Sequence, residues 1–201
     1  MILIGYSGHA FVVYGILQSA GKKVTGYCDR EQKEINPFHL PYVGTETSDA
    51  GLKALNEHGF FIAIGDNAIR SNVFASLESK GLKPGNAVHA SAVVDPSAII
   101  DASGVMIAAQ ATINPLARIG KGAICNTGCI VEHECVVGDF AHIGPGAVLC
   151  GNVSVGEGSF VGANAVVRQG IRIGKNAMIG AGAVVVKDVG DGTTVVGVPA
   201  K

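Results

Sequence analysis

The sequence predicts two domains of different class, a small α/β domain over residues 1–85 and a parallel β-helix over residues 86–201. Three observations support this prediction. Short apolar runs alternate with helix-like segments in the first part, whereas the chain repeats every six residues from Ala87 onward. The composition agrees, because 29 glycines and only 15 % charged residues favour closely cornered β-structure over helices.

The first domain is predicted from apolar strands that end in small or polar residues. The expected elements are strand Met1–Ile4, helix Ala10–Ala20, strand Val24–Cys28, strand Phe60–Ile64 and helix Ala68–Lys80. Their alternation favours a Rossmann-like arrangement with a small parallel sheet. Ligands of such sheets bind at the carboxyl ends of the strands, and here those ends carry Gly5–His9, Asp29 and Gly65–Asn67.

The second domain is predicted from seventeen hexads between Ala87 and Asp188, which we expect to follow one another without an insertion. The third position is Ile, Val or Leu in thirteen of the seventeen. Hexapeptide periodicity is typical of a parallel β-helix, in which three hexads close one triangular coil. The third-position side chains should point inward and stack on their equivalents three hexads away, giving nearly six coils.

Charge and hydropathy argue against nucleic-acid binding and against a membrane helix. A net charge of -1 and a pI near 6.6 provide no basic surface for nucleic acid. No apolar run approaches the roughly 20 residues that a membrane helix needs. The first residues lack the features of a signal peptide, so a cytoplasmic location is expected, and the five cysteines are then most simply free thiols.

One hexad, Cys129–Glu134, places two carboxylates around an imidazole. His133 sits at the corner of its hexad and should project outward. A histidine can accept a proton near neutral pH, and a carboxylate on its other ring nitrogen would fix its tautomer. Gly151 follows three hexads later and should stack over His133, where its N–H would meet a developing oxyanion.

The chain resembles the hexapeptide-repeat acyltransferases, and within them the sialic-acid O-acetyltransferase-like group. It is most similar to the UDP-4-amino-sugar N-acetyltransferases of bacillosamine biosynthesis. The resemblance rests on the hexads, the ending Val196–Lys201, and the motifs Gly5-Tyr6-Ser7-Gly8-His9, Gly65-Asp66-Asn67 and Glu132-His133-Glu134. It implies a left-handed β-helix, a homotrimer with active sites between subunits, acetyl-CoA as co-substrate and no metal.

The resemblance also implies a role for each site residue. The catalytic residues would be His133 as base, Glu134 as its partner (with Glu132 less favoured) and Gly151. Acetyl-CoA would contact His142, Gly151, Ala163 and Ala181. The UDP-sugar would contact Ser7, Gly8, His9, Asp29, Arg30, Gly65, Asp66 and Asn67. Relatives often carry a second acid where Arg30 stands, which leaves the nucleotide open.

Several other functions remain open at this stage. The same fold accepts GDP- or dTDP-linked amino sugars, or O-acetylates sialic acid, and a non-catalytic sugar-nucleotide binder is a further alternative. A zinc carbonic anhydrase of the γ type shares the β-helix but requires three converging imidazoles. Basic residues are absent between Lys121 and Arg168 and then frequent, which suits a donor whose phosphates meet the C-terminal coils.

Overall fold

The computed structural model describes residues 1–201 as a small head followed by a long solenoid. The head contains a parallel sheet of three strands in the order β2-β1-β3. Its elements are β1 Ile2–Ile4, α1 Gly8–Ser19, β2 Gly26–Cys28, α2 Asp49–His58, β3 Phe60–Ile62 and α3 Asn67–Glu78. All three strands are buried throughout, as expected for a parallel sheet covered on both sides. The predicted small parallel sheet is therefore confirmed.

The helix α2 was not predicted, because only Gly51 and Leu55 of its ten residues are buried. Local signals nevertheless define it. The Ser48 hydroxyl accepts a hydrogen bond from the N–H of Gly51 at 3.1 Å, which caps the first turn. Gly51 itself has no room for a side chain, since a Cβ there would overlap the carbonyl of Thr45.

The solenoid is a parallel β-helix with three faces, visited in the order A, B, C in each coil. Face A consists of β4 Ala87–Val88, β7 Met106–Ile107, β10 Ile124–Cys125, β13 His142–Ile143, β16 Phe160–Val161, β19 Met178–Ile179 and β21 Thr194–Val195. Face B consists of β5 Val93–Val94, β8 Thr112–Ile113, β11 Ile130–Val131, β14 Val148–Leu149, β17 Val166–Val167 and β20 Val184–Val185. Face C consists of β6 Ile99–Ile100, β9 Arg118–Ile119, β12 Val136–Val137, β15 Ser154–Val155 and β18 Arg172–Ile173. The predicted solenoid of about six coils is confirmed.

The expectation of uninterrupted hexads was wrong at the first coil. From β7 onward, residues paired between neighbouring strands are three hexads apart, as in Ile107 and Cys125. In the first coil the interval is longer by one residue, as in Val88 and Ile107. The extra residue lies in the corner between Ile100 and Met106, where Gly104 takes a φ of 71°. As a result, the second residues of the first three hexads face the core, and the polar third residues do not.

The head packs on face A at the first coils. One hydrophobic cluster joins head residues such as Leu3 and Val13 to Ala87, Met106 and Ile124 of face A. A second cluster of 28 residues fills the solenoid itself. None of the three helices has the length and apolarity needed to cross a membrane.

Candidate functional site

The glutamate–histidine motif lies at the corner between faces B and C. His133 is half exposed there, and its Nδ1 lies 3.1 Å from Oε2 of Glu134. Glu134 adopts a φ of 60°, the conformation of the coil corner. Glu132 makes no hydrogen bond to the ring, and Nε2 of His133 remains free. The geometry favours Glu134 over Glu132 as the group that orients the imidazole.

Gly151 lies directly beneath the His133 ring in the next coil. A Cβ on Gly151 would lie 2.5 Å from both Cε1 and Nε2 of His133, so only glycine leaves room for this stacking. The N–H groups of Cys150 and Asn152 donate to carbonyls of neighbouring coils, whereas the N–H of Gly151 donates to nothing. The ring covers Gly151, which is buried, so this free donor lies next to His133.

Ala163 and Ala181 stack one coil apart at a different corner, between faces A and B. Their N–H groups also have no acceptor within the chain. Small residues with free backbone donors fit the amides of a pantetheine chain, so these positions are suited to coenzyme A. The cations of the C-terminal coils lie at the other two corners: Arg168 and Lys187 are exposed and form no ion pair, while Lys175 pairs with Glu157 at 3.3 Å.

At the sheet edge of the head, a cleft of about 510 Å³ borders the start of α1. Ser7 and Gly8 line it, together with Tyr6, Phe11 and the loop 31–35. Ser7 precedes the helix without capping it, which leaves the N–H groups of the first turn free for an anion.

Asp29, an expected contact of the sugar nucleotide, already forms hydrogen bonds and an ion pair within the protein. Its Oδ2 accepts the N–H of Tyr6 at 2.9 Å, and its Oδ1 accepts the N–H of Arg30 at 2.7 Å and lies 3.2 Å from Nζ of Lys33. The carboxylate therefore holds the glycine-rich turn in place. The Arg30 side chain is exposed and unpaired.

A second cleft, of about 540 Å³, lies between the end of β3 and the solenoid. Gly65, Asp66 and Asn67 form its head side, and Phe140 and Phe160 contribute to the solenoid side. Asp66 caps α3 by accepting the N–H of Ile69 at 2.8 Å. Asn67 donates to the carbonyls of Gly158 and Ser159 at 2.9 and 3.2 Å. Both side chains thus have structural partners at the cleft.

His142, an expected contact of acetyl-CoA, points away from its coil and is buried beneath the head. Its ring packs edge-on against Phe160 and lies 6.2 Å from the ring of His9. Asn126 fixes its tautomer: Oδ1 of Asn126 accepts the N–H of Thr127, so Nδ2 donates to Nε2 of His142 at 3.0 Å. Nδ1 of His142 therefore carries the proton, and it has no hydrogen-bond partner.

Burial keeps His142 and the partly buried His9 neutral. Desolvation, reinforced by the positive charge of Arg70, lowers the pKa of His9 to about 4. The same two causes, with a small contribution from His9, lower the pKa of His142 to about 4, while the facing backbone of Gly65 acts weakly in the opposite direction. Nε2 of His9 is also unpaired. Two neutral imidazoles with unused nitrogens therefore meet between head and solenoid.

These lowered pKa values predict acid sensitivity of the fold. In the unfolded chain, histidines bind protons below about pH 6.5. In the folded state they do so only near pH 4, so the unfolded state binds more protons in this interval and stability falls as pH falls. We expect a loss of about 2 kcal/mol per histidine between pH 7 and pH 5, measured by urea unfolding. His142→Gln should flatten the profile and His58→Gln, on exposed α2, should not; equal slopes in all three proteins would contradict the prediction.

The cysteines have the properties of structural side chains. Four of the five are buried, and Cys150 is partly exposed. Burial raises the pKa of Cys135 to about 11 and that of Cys28 to about 12, which makes both poor nucleophiles. No three His, Cys, Asp or Glu side chains are arranged to hold a metal ion.

Comparison with known proteins identifies the family to which the chain belongs. Residues 1–77 match the PglD N-terminal domain, and residues 134–169 and 152–187 match the six-repeat bacterial transferase hexapeptide family. A variant of perosamine N-acetyltransferase from Caulobacter crescentus, in complex with CoA and GDP-perosamine, has 40 % sequence identity and a TM-score of 0.92. The match covers 100 % of this chain and 94 % of that chain. The chain belongs to the hexapeptide-repeat sugar N-acetyltransferases.

Two further structures agree with this N-acetyltransferase along its whole length. The acetyltransferase domain of PglB from Neisseria gonorrhoeae, in complex with acetyl coenzyme A, has 34 % identity and a TM-score of 0.89, covering 100 % of this chain and 97 % of that chain. WeeI from Acinetobacter baumannii has 25 % identity and a TM-score of 0.86, with the same coverage.

In this N-acetyltransferase the predicted site residues lie at the two clefts and at two corners of the solenoid, one of which carries Ala163 and Ala181. Gly65, Asp66 and Asn67 lie at the second cleft, where His142 is buried nearby, and Ser7 and Gly8 lie at the first, with His9 between the two. His133, Glu134 and Gly151 form a separate corner, which borders neither cleft. Sequence reasoning missed Arg70 and Asn126; the Asn67–Arg70 spacing of one helical turn was the available signal for Arg70.

Proposed function

We propose that this protein transfers acetyl from acetyl-CoA to the 4-amino group of a nucleotide-linked 4-amino-4,6-dideoxy sugar in bacterial glycan biosynthesis. The stacking of His133 on Gly151, with Glu134 on the other ring nitrogen, is the observation that carries the proposal. It joins a proton acceptor, its orienting carboxylate and a free backbone donor at one point. The family membership supplies acetyl-CoA as the donor.

The nucleotide is UDP in our first proposal, following the resemblance to the bacillosamine-pathway enzymes. GDP is the second candidate, because the Caulobacter crescentus protein with 40 % identity was crystallised with GDP-perosamine. In either case the diphosphate would lie over the free N–H groups of α1.

The chemistry follows from the geometry of the corner. As the sugar nitrogen attacks the thioester carbon, Nε2 of His133 takes the proton that the nitrogen loses, and Glu134 stabilises the resulting imidazolium. The N–H of Gly151 donates to the oxyanion of the tetrahedral intermediate. The C–S bond then breaks, and the proton passes from His133 to the departing thiolate, which leaves as coenzyme A.

Two copies of the chain are needed to assemble this site in our proposal. The head covers face A, whereas His133 lies at the corner between faces B and C, across the triangular coil from face A. The cleft of one head therefore requires the His133 corner of another copy. The outer side of face B supports this association, because it carries the half-buried apolar residues Ile130, Val148 and Val166 in a row. We propose a homotrimer, as is usual in this family.

The activity is tested by following thiol release from acetyl-CoA with a panel of UDP-, GDP- and dTDP-linked 4-amino sugars. Release with one amino sugar, and none with its 4-hydroxy analogue, would support the proposed reaction and identify the nucleotide. Thiol release only with hydroxyl acceptors would identify the protein as an O-acetyltransferase. Binding of a sugar nucleotide without any release would favour a non-catalytic binder.

The shared site is tested by mixing two inactive variants. His133→Ala removes the base, while Gly8→Asp places a negative charge at the start of α1, where open space accepts the side chain but an anion is repelled. Suppose that each site combines one head with the His133 of a neighbouring subunit. In a reassembled equal mixture, half of the heads and half of the His133 corners are intact. About a quarter of the sites then combine two intact parts, so about a quarter of wild-type activity should return. If verified mixed oligomers regain no activity, the head and the His133 corner of each site belong to the same chain.

A further inference from the structure

Side chains of α3 bind three backbone carbonyls that recur once per coil along the solenoid. These corner carbonyls belong to Gly122, Phe140 and Gly158, at the corner between faces C and A. Arg70 donates from Nε to Gly122 at 2.8 Å and from Nη2 to Phe140 at 2.8 Å. Asn67 donates to Gly158 at 2.9 Å. One turn of one helix therefore spans three consecutive coils.

Every N–H group of the Arg70 guanidinium donates a hydrogen bond. Its five N–H groups have five acceptors: the carbonyls of Gly122, Phe140, Ile64 and Gly65, and Oδ1 of Asn67. The residue is 1 % exposed and touches no carboxylate. Burial lowers the pKa of Arg70 to about 10, so it stays charged at neutral pH. A buried charge held only by main-chain and amide oxygens is retained at a considerable desolvation cost.

Both sides of the second cleft depend on this one group. Gly65 and Asn67, on the head side, accept hydrogen bonds from Arg70 at 3.0 and 2.8 Å. Phe140, on the solenoid side, accepts another and packs its ring edge-on against Phe74 of α3. Phe140 holds a φ of 55°, which is unfavourable for a bulky residue and is maintained by this packing.

We propose that Arg70 is a positioning residue for acetyl transfer: it fixes the separation of the two sides of the second cleft and thereby the place of the acceptor sugar. The inference rests on the proposed function, because it takes Gly65, Asp66 and Asn67, which line this cleft, as contacts of the acceptor sugar. Lysine cannot replace it, since three donors on one nitrogen do not reach acceptors spread over two coils and the head.

The test compares Arg70→Met and Arg70→Lys with wild type, using the acceptor identified by thiol release. We expect the KM for the sugar nucleotide to rise by about 10-fold or more in both variants, while the KM for acetyl-CoA is unchanged. Leu55→Ala is the matched control, because it removes buried side chain from the head without touching the cleft. It should lower the melting temperature and leave both KM values unchanged.

The outcomes separate the two proposals. If wild type acetylates no nucleotide sugar, the proposed function fails before any variant is compared. If wild type is active and both Arg70 variants keep its sugar KM, the positioning role is wrong and Arg70 only stabilises the fold. If Arg70→Met does not fold, Arg70→Lys alone decides whether Arg70 has the positioning role, since lysine keeps the positive charge but lacks the planar, forked guanidinium.

Discussion

Replacing His133 by alanine should lower the turnover number by roughly 10² to 10⁴, the contribution expected of a positioned general base. The imidazole is half exposed and packs only over Gly151, so its removal should change neither the melting temperature nor the KM for the sugar nucleotide. Steady-state thiol release and a thermal melt measure both. Near-normal turnover would show that another group takes the proton.

A pair of glutamate variants serves as the internal control for this result. Glu134 lies 3.1 Å from the ring, whereas Glu132, two residues earlier at the same corner, makes no hydrogen bond to it. Glu134→Gln should therefore reduce turnover roughly 10-fold, a part of what the base supplies, and Glu132→Gln should remain close to wild type. The opposite order would make Glu132 the orienting carboxylate.

Gly151→Ala should reduce turnover about 100-fold, although it adds only one methyl group. That methyl would occupy the position of the His133 ring, so the base must move by about an ångström or more from its reactive geometry. The same methyl crowds the free N–H that we assign to the oxyanion. Single-turnover measurements at saturating acetyl-CoA separate this loss of chemistry from a loss of binding.

Gly15→Ala is the matched control for Gly151→Ala. Gly15 lies in α1, and no atom lies within 4 Å of the place that a Cβ would take, so alanine should leave activity intact and stabilise the helix slightly. If Gly151→Ala matches this control in turnover, the stacked ring is not the catalytic base.

The solenoid could be predicted from sequence because its core requires an aliphatic residue at the same position of each hexad. The same rule shows why the prediction was wrong at the first coil. His89, Asp95 and Asp101 stand at third positions, and their polarity was the visible sign that the register had shifted by one residue. The helix α2 carried a different sign, the capping residue Ser48 before its first turn, although little of the helix is buried.

The candidate site was predictable in parts. Stacking of Gly151 on His133 follows from the three-hexad coil, and the structure shows it. The burial of His142 does not follow, because a hexad position tells which way a side chain leaves the coil and not what covers it. The four hydrogen bonds of Arg70 to backbone carbonyls were also beyond sequence reasoning, since carbonyls occur at every residue and carry no sequence signal.

The contacts of α3 with the corner carbonyls have a consequence for evolution. Because Arg70 and Asn67 recognise main-chain oxygens that recur once per coil, this contact places no demand on the side-chain identity of the solenoid corners. The side-chain demands of the head are made elsewhere, by the ring of Phe140 on Phe74 and by the apolar residues of face A. A head carrying this Asn–Arg pair is therefore suited to transplantation onto other solenoids of equal coil length that keep these apolar contacts, which would combine one acceptor specificity with another acetyl-donor site.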